Sequence, residues 1–373
     1  MADTKLIILA THGMVKRIEI LFGIGELVAM GVQIEYWNLS DVTYNESIVG
    51  YPIDGVTNID IKTRQDFTSR VKNNVGSPCK YVVYMNYTQA TCFVYRILSK
   101  YNAKMIYCAD GVLPAPAKTS VSHLASINIR KRARLAFFHL IKHSNLFKPL
   151  EYQLNTCDRS RVDYKVDTKT KFVPFRTTDY ILSQKTEVKL VDFPYIVFID
   201  QYLPYHPDMM LHGKNVNAQI YFKGLRSFFD KIEQDSGKKI IIAAHPKALN
   251  YQKSNPFGER MIFYGKTNSL IKFCDGVINH YSTAISFGVI FNKPMVIAVS
   301  DDIITKLPSC YEQCRTFASV LGLNLYNVDH LPANPIRFEY HKDDYSKYFY
   351  DYLYASGLDE RSNSELLYQI LNS

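Results

Sequence analysis

Two short β-branched runs, Ile240-Ile241-Ile242-Ala243-Ala244 and Met295-Val296-Ile297-Ala298-Val299, constrain this chain more than any other feature. Each is apolar throughout, so each has to be covered on both faces, and helical patterns separate such runs from one another. That combination reads as parallel strands inside an α/β sheet. In open sheets of this kind, ligands bind beyond the carboxyl ends of the strands. His245-Pro246 follows the first run, and Ser282-Thr283 follows the short apolar piece Gly276-Val277-Ile278. The two motifs are therefore expected at one crevice.

The first half repeats the plan. Lys5 to Ala10 reads as a strand, a helical pattern runs from about Val15 to Met30 with Gly31 as its stop, and Val32 to Trp37 reads as the next strand. Further strands are expected at Tyr81 to Met85 and at Lys104 to Cys108, the latter ending in Ala109-Asp110-Gly111. Residues 148–192 are polar and strand-poor, and we place the interdomain connection there. The second half opens with the strand Tyr195 to Ile199, followed by Asp200-Gln201. The expected fold class is α/β, with two Rossmann-like domains facing a cleft. Their spans are 1–170 and 190–350, and a closing helix within 351–373 could pack back on the first domain.

Several chemistries are excluded by spacing. Gly23-Ile24-Gly25 lies inside a helical pattern without a third glycine, which argues against a nicotinamide cofactor. Gly265-Lys266-Thr267 is not a Walker A loop, because Arg260 stands where the first glycine belongs. The seven cysteines are scattered without CxxC spacing, so neither zinc nor a disulfide framework is expected. No apolar run approaches the roughly 18 residues that span a bilayer, and the first residues do not read as a signal peptide. A cytoplasmic location is expected, with membrane association open.

Charge is uneven. The formal net charge is +9, and no acidic residue occurs from Gly111 to Leu150. A basic helical pattern, Ser126 to Phe147, carries Arg130, Lys131, Arg132 and Arg134. It could meet an anionic acceptor or the inner membrane, or be a core helix whose arginines reach solvent. No nucleic-acid-binding module is present.

The site candidates follow from position. His245, at a strand end and before a proline, can donate to a phosphate or protonate a departing phosphate oxygen. Ser282 and Thr283 would cap a helix from Ala284 to Phe291 and present its free N–H groups to an anion, with plain capping as the alternative. Asp110 stands at a strand end beside Gly111, which permits a tight turn; a turn aspartate is the alternative. His12, Asp200 and His280 are further candidates by position.

An acid–Gly turn, then His-Pro, then a Ser/Thr pair resembles the bacterial sialyltransferases and polysialyltransferases of glycosyltransferase-B (GT-B) architecture. It is also similar to capsule and lipopolysaccharide transferases that use CMP-activated sialic, pseudaminic, legionaminic or Kdo-type acids. The resemblance implies Asp110 as the base for the acceptor hydroxyl and His245 on the CMP phosphate. It places Ser282 and Thr283 on the donor's phosphate or carboxylate; Pro246, Asp200 and His280 join the donor side by position, and Arg130, Lys131, Arg132 and Arg134 could then meet an anionic acceptor or the membrane. It implies a CMP-sugar as co-substrate and no metal. Ala109 departs from the family's paired acids, which brings in His12 as a substitute base. The other readings are a transferase or epimerase using a UDP- or GDP-sugar, a pyruvyl transferase using phosphoenolpyruvate, and a non-enzymatic peripheral membrane scaffold.

Overall fold

The computed structural model describes residues 4–44, 48–115, 137–138, 140–161, 164–206 and 216–373. The chain divides into two compact units. The first comprises Met1–Val112, Ser120–Ile181 and Asp351–Ser373, and the second Leu113–Thr119 and Leu182–Tyr350.

The first unit is built on seven parallel strands: β1 Lys5–Ala10, β2 Ile34–Asn38, β3 Val56–Asp60, β4 Cys79–Tyr84, β5 Lys104–Ala109, β6 Tyr152–Asn155 and β7 Lys171–Pro174. Their order is β3-β2-β1-β4-β5-β6-β7. This is the doubly wound order, with its topological switch point between β1 and β4. Leu6, Ile8, Val82 and Ile106 face one side of the sheet, and Ile7, Leu9, Val83 and Tyr107 face the other, each fully or almost fully buried. The alternation explains why these runs are apolar at every position.

Three features depart from the sequence reading. The helix expected from Val15 to Met30 is two, Lys16–Phe22 and Ile24–Ala29. Gly23 breaks it with φ of 60°, and a Cβ there would come within 2.8 Å of the Ser364 side chain. Strand β3 lies just before the Arg64–Asn73 helix, in a stretch that shows little apolar patterning. Strands β6 and β7 occupy the stretch read as strand-poor. They are four residues each, and Gln153 and Asn155 inside β6 hide its period.

The closing helix, Asn363–Leu371, belongs to the first unit. Ser362 and Glu365 form a capping box at its start. Leu366, Leu367, Ile370 and Leu371 then pack among Ile18, Leu21, Phe22, Ile24 and Leu27. Of the basic helix, Arg130, Lys131, Arg132 and Arg134 lie outside the described residues. Further along it, the Phe138 ring stacks on Tyr87 at 4.7 Å.

The second unit holds six parallel strands: β8 Tyr195–Ile199, β9 Lys239–Ala244, β10 Ile262–Tyr264, β11 Gly276–Asn279, β12 Met295–Val299 and β13 Leu325–Asn327. The order β10-β9-β8-β11-β12-β13 repeats the doubly wound plan, with its switch point between β8 and β11. The long helix Ala218–Ser236 starts at Asn217, whose Oδ1 accepts the Ile220 N–H at 3.2 Å. It buries Tyr221, Phe222, Leu225, Phe228, Phe229 and Ile232.

Candidate functional site

In the first unit, polar side chains gather at the carboxyl ends of β1, β4 and β5. Asp110 follows β5, and its side chain is only 1% exposed. Its Oδ2 accepts from Arg17 Nε at 3.2 Å, Arg17 Nη2 at 3.1 Å and the Tyr84 hydroxyl at 3.0 Å. Its Oδ1 is buried with no partner among the described residues. Arg17 also lies 3.9 Å from Asp179. Burial opposes the guanidinium's charge, but the two carboxylates outweigh it and raise its pKa. Burial, and then the Asp110 charge, push the Tyr84 phenol up as well. Gly111 takes the left-handed turn expected of it, with φ of 75°.

His12 follows β1, half-buried, with its ring edge-on to Tyr84 at 6.5 Å. Its Nδ1 lies 2.8 Å from the Gly13 carbonyl oxygen. A carbonyl only accepts, so Nδ1 carries the proton, and Nε2 of the neutral ring keeps its lone pair.

The second unit gathers its groups around the ends of β9, β8 and β11. Asp200, after β8, is 3% exposed. Its Oδ1 accepts the Tyr202 N–H at 3.0 Å, and its Oδ2 accepts the His245 N–H at 3.3 Å. Burial raises its pKa to about 6, against the lowering effect of the backbone N–H groups that it accepts. The Tyr251 hydroxyl is buried close enough to feel that charge, but it is not aligned as a hydrogen bond.

His245 is half-buried at the end of β9, and Pro246 beside it is exposed. The His245 Nδ1 accepts the Lys247 N–H at 3.2 Å, so the proton of the neutral ring sits on Nε2. Its ring lies parallel to Tyr202 at 6.4 Å and edge-on to His206 at 5.2 Å. Tyr202 has φ of 55°, a left-handed conformation unusual for a tyrosine.

Ser282 and Thr283 lie where a strand end was expected, but they do not cap a long helix. The helix that follows is Ile285–Ile290, six residues, with Ala284 at its cap position and no side-chain cap. Asn279 organises the turn instead: its Oδ1 accepts the Ser282 N–H at 3.2 Å. The Ser282 Oγ accepts the Ala284 N–H at 3.3 Å, which leaves its own proton to donate elsewhere. Gln201 Oε1 accepts the Tyr281 N–H at 3.0 Å and ties the end of β8 to the turn after β11.

His280 is not at the crevice edge. It is fully buried, with Nδ1 2.5 Å from the Ala298 carbonyl oxygen and Nε2 2.9 Å from the Tyr221 hydroxyl. Burial lowers its pKa to about 4, so it is a neutral core histidine. Its place just after a strand made it a crevice candidate, but the side chain points into the core, where both ring nitrogens are satisfied.

Thus Asp200, His245, Ser282 and Thr283 lie at neighbouring strand ends of one sheet. Asp110 and His12 lie together at the ends of the other. The sequence reading missed Arg17 and Tyr84, which are 93 and 26 residues from Asp110. It also missed Gln201 and Asn279, which no motif marks. Among the described residues, no group of three or more His, Cys, Asp or Glu side chains could hold a metal, and no helix is long and apolar enough to cross a membrane.

No protein-family model matches the chain, and no curated protein matches it in sequence. Solved structures do. Two structures of the wall teichoic acid polymerase TagF are similar, with TM-scores of 0.52 and 0.51 and identities of 10% and 9%; each match covers 100% of this chain and 89% of the other. A looser likeness, at a TM-score of 0.47 and 14% identity, is to UDP-GlcNAc 2-epimerase from Methanocaldococcus jannaschii; it covers 99% of this chain and 100% of that one. At such identities the TagF likeness speaks to fold. Taken with two parallel sheets in the same doubly wound order, it makes this chain a protein of the GT-B fold.

Proposed function

We propose that this protein is a glycosyltransferase that moves an acidic sugar, of the sialic, pseudaminic, legionaminic or Kdo type, from CMP to a surface-glycan acceptor in capsule or lipopolysaccharide synthesis. The observation that carries this reading is that two strand-end histidines are held through Nδ1, His12 on a carbonyl oxygen and His245 on an N–H, which assigns them opposite tautomers. The assigned tautomers put a lone pair on His12 Nε2, as a base needs, and the proton on His245 Nε2, the form that can donate to a departing phosphate. The GT-B fold and the order of the acid–Gly, His-Pro and Ser/Thr motifs support it.

In this mechanism His12 Nε2 takes the proton of the acceptor hydroxyl while that oxygen bonds to the anomeric carbon. The bond from that carbon to the CMP phosphate oxygen breaks, and its electron pair leaves on the phosphate. The His245 Nε2–H and the Ser282 and Thr283 hydroxyls stabilise that charge. Asp110 is assigned to positioning: three donors already occupy its Oδ2, and its side chain is almost wholly buried. No step calls on a metal. The basic residues Arg130, Lys131, Arg132 and Arg134 are proposed to meet the anionic acceptor or the membrane surface.

The test is a thermal-shift panel of CMP, CDP, UMP, UDP, GDP and phosphoenolpyruvate on wild type and His245→Ala. A ligand that binds only the folded state raises the melting temperature by mass action. Stabilisation by CMP, weakened in the variant, is expected. Preference for UDP or GDP replaces the donor class, and preference for phosphoenolpyruvate points to pyruvyl transfer. Silence across the panel removes the nucleotide reading and favours the scaffold.

A further inference from the structure

The second unit's switch point lies between β8 and β11, and Gln201 is the side chain that joins the two strand ends. Strand β8 hands over to three consecutive residues with separate tasks. Asp200 reaches towards β9 and holds the His245 N–H. Gln201 reaches towards β11 and holds the Tyr281 N–H. Tyr202 accepts the left-handed conformation that this sharp turn requires.

The contact with Tyr281 settles which end of the Gln201 amide is which. A backbone N–H only donates, so the amide atom facing it at 3.0 Å is the oxygen. The NH2 group is then the other end, carrying two donors. It has no partner among the described residues, and Gln201 is half-buried at the carboxyl edge of the sheet. The amide lies at the end of β8, between the neighbouring strand ends that carry the His245 turn and the Ser282–Thr283 turn with its two hydroxyls. Open parallel sheets bind ligands at such a switch point.

We propose that Gln201 is a ligand-binding residue of this site: its Nε2 donates to the phosphate of a bound nucleotide while its Oε1 holds the Ser282–Thr283 turn in place. The inference rests on the proposed nucleotide-dependent transfer and adds a residue that no motif in the chain marks.

Two variants separate binding from scaffolding. Gln201→Glu keeps an oxygen for the Tyr281 N–H but replaces the donor with a carboxylate that repels phosphate. Gln201→Met removes both functions. Calorimetric titration with CMP and thermal melting are measured on wild type and both variants. The expected result is that Gln201→Glu melts as wild type does but binds CMP at least about tenfold more weakly, the loss expected when a hydrogen bond to a charged group is removed. Gln201→Met is expected to melt lower and to bind more weakly as well. If wild type binds CMP and Gln201→Glu binds it equally well, Gln201 only shapes the turn, and the inference is overturned while the transferase reading stands. A lower melting temperature in Gln201→Glu overturns the assignment of its oxygen to Tyr281. If wild type itself binds no CMP, the CMP reading fails and takes the inference with it.

Discussion

A histidine's role is decided by what its other nitrogen touches. His12 Nδ1 faces a carbonyl and His245 Nδ1 faces an N–H, so the two neutral rings carry their proton on different nitrogens, which is why the proposed transfer gives them different roles. His12→Asn, which has no basic nitrogen, is expected to lower kcat by about 100-fold or more while leaving CMP affinity at the wild-type level; a transfer assay alongside calorimetry reads both. The Asp110 cluster makes a different prediction. Asp110 is 1% exposed on its side chain, and Arg17 is its ionic partner. The Arg17 side chain is 40% exposed, so solvent screens part of the pair, but its loss strands the buried Asp110 carboxylate, and Arg17→Ala is expected to cost about 2 kcal/mol in urea unfolding. A loss below about 1 kcal/mol would show that the pair is not what holds the turn after β5.

At the scale of the strand ends, the second unit carries two buried ionisable groups whose pH effects oppose each other. Asp200 has its pKa raised by burial from 3.8 to about 6, so its charged form is disfavoured in the fold. Its contribution to stability is fully present below 3.8 and is lost as pH rises through 6. His280 has its pKa lowered by burial from 6.5 to about 4. Its contribution is present above 6.5 and is lost as pH falls through 4. Each amounts to about 3 kcal/mol at 1.36 kcal/mol per unit. Asp200→Asn removes one slope, so stability of that variant is expected to rise with pH between 4 and 6.5 more steeply than in wild type. Equal slopes in urea titrations across that range would contradict the burial argument. In the first unit, Ser362→Ala removes the capping box of the closing helix and is expected to cost about 1 kcal/mol. That helix buries four aliphatic side chains in the core, so its loss would be felt throughout the unit.

At the scale of the whole molecule, two doubly wound sheets were legible because a buried parallel strand has to be apolar on both faces. Lys5–Ala10, Lys239–Ala244 and Met295–Val299 show this directly. Strand β3 was not legible, because Thr57, Asn58 and Asp60 on it are exposed and leave no apolar run. Strands β6 and β7 are held by ladder hydrogen bonds to their neighbours rather than by a pattern of their own. The site divides in the same way. His245, Asp110 and the Ser282–Thr283 pair stand at strand ends that the runs predict. Arg17 and Gln201 depend on which strand lies beside which, and a single sequence does not display that order.

Acceptor-dependent release of CMP is the event that distinguishes group transfer from a CMP-activated acid sugar from every other reading of this fold. CMP-sialic acid, CMP-pseudaminic acid, CMP-legionaminic acid and CMP-Kdo are each incubated with an acidic glycan acceptor, using wild type, His12→Asn and His245→Ala. CMP release from at least one donor is expected to require the acceptor and to collapse in both variants, with the His245→Ala loss accompanied by weaker CMP binding. Release of UDP or GDP from the corresponding sugar nucleotides, with none from any CMP donor, would contradict that expectation, as would a His12→Asn variant that transfers at the wild-type rate.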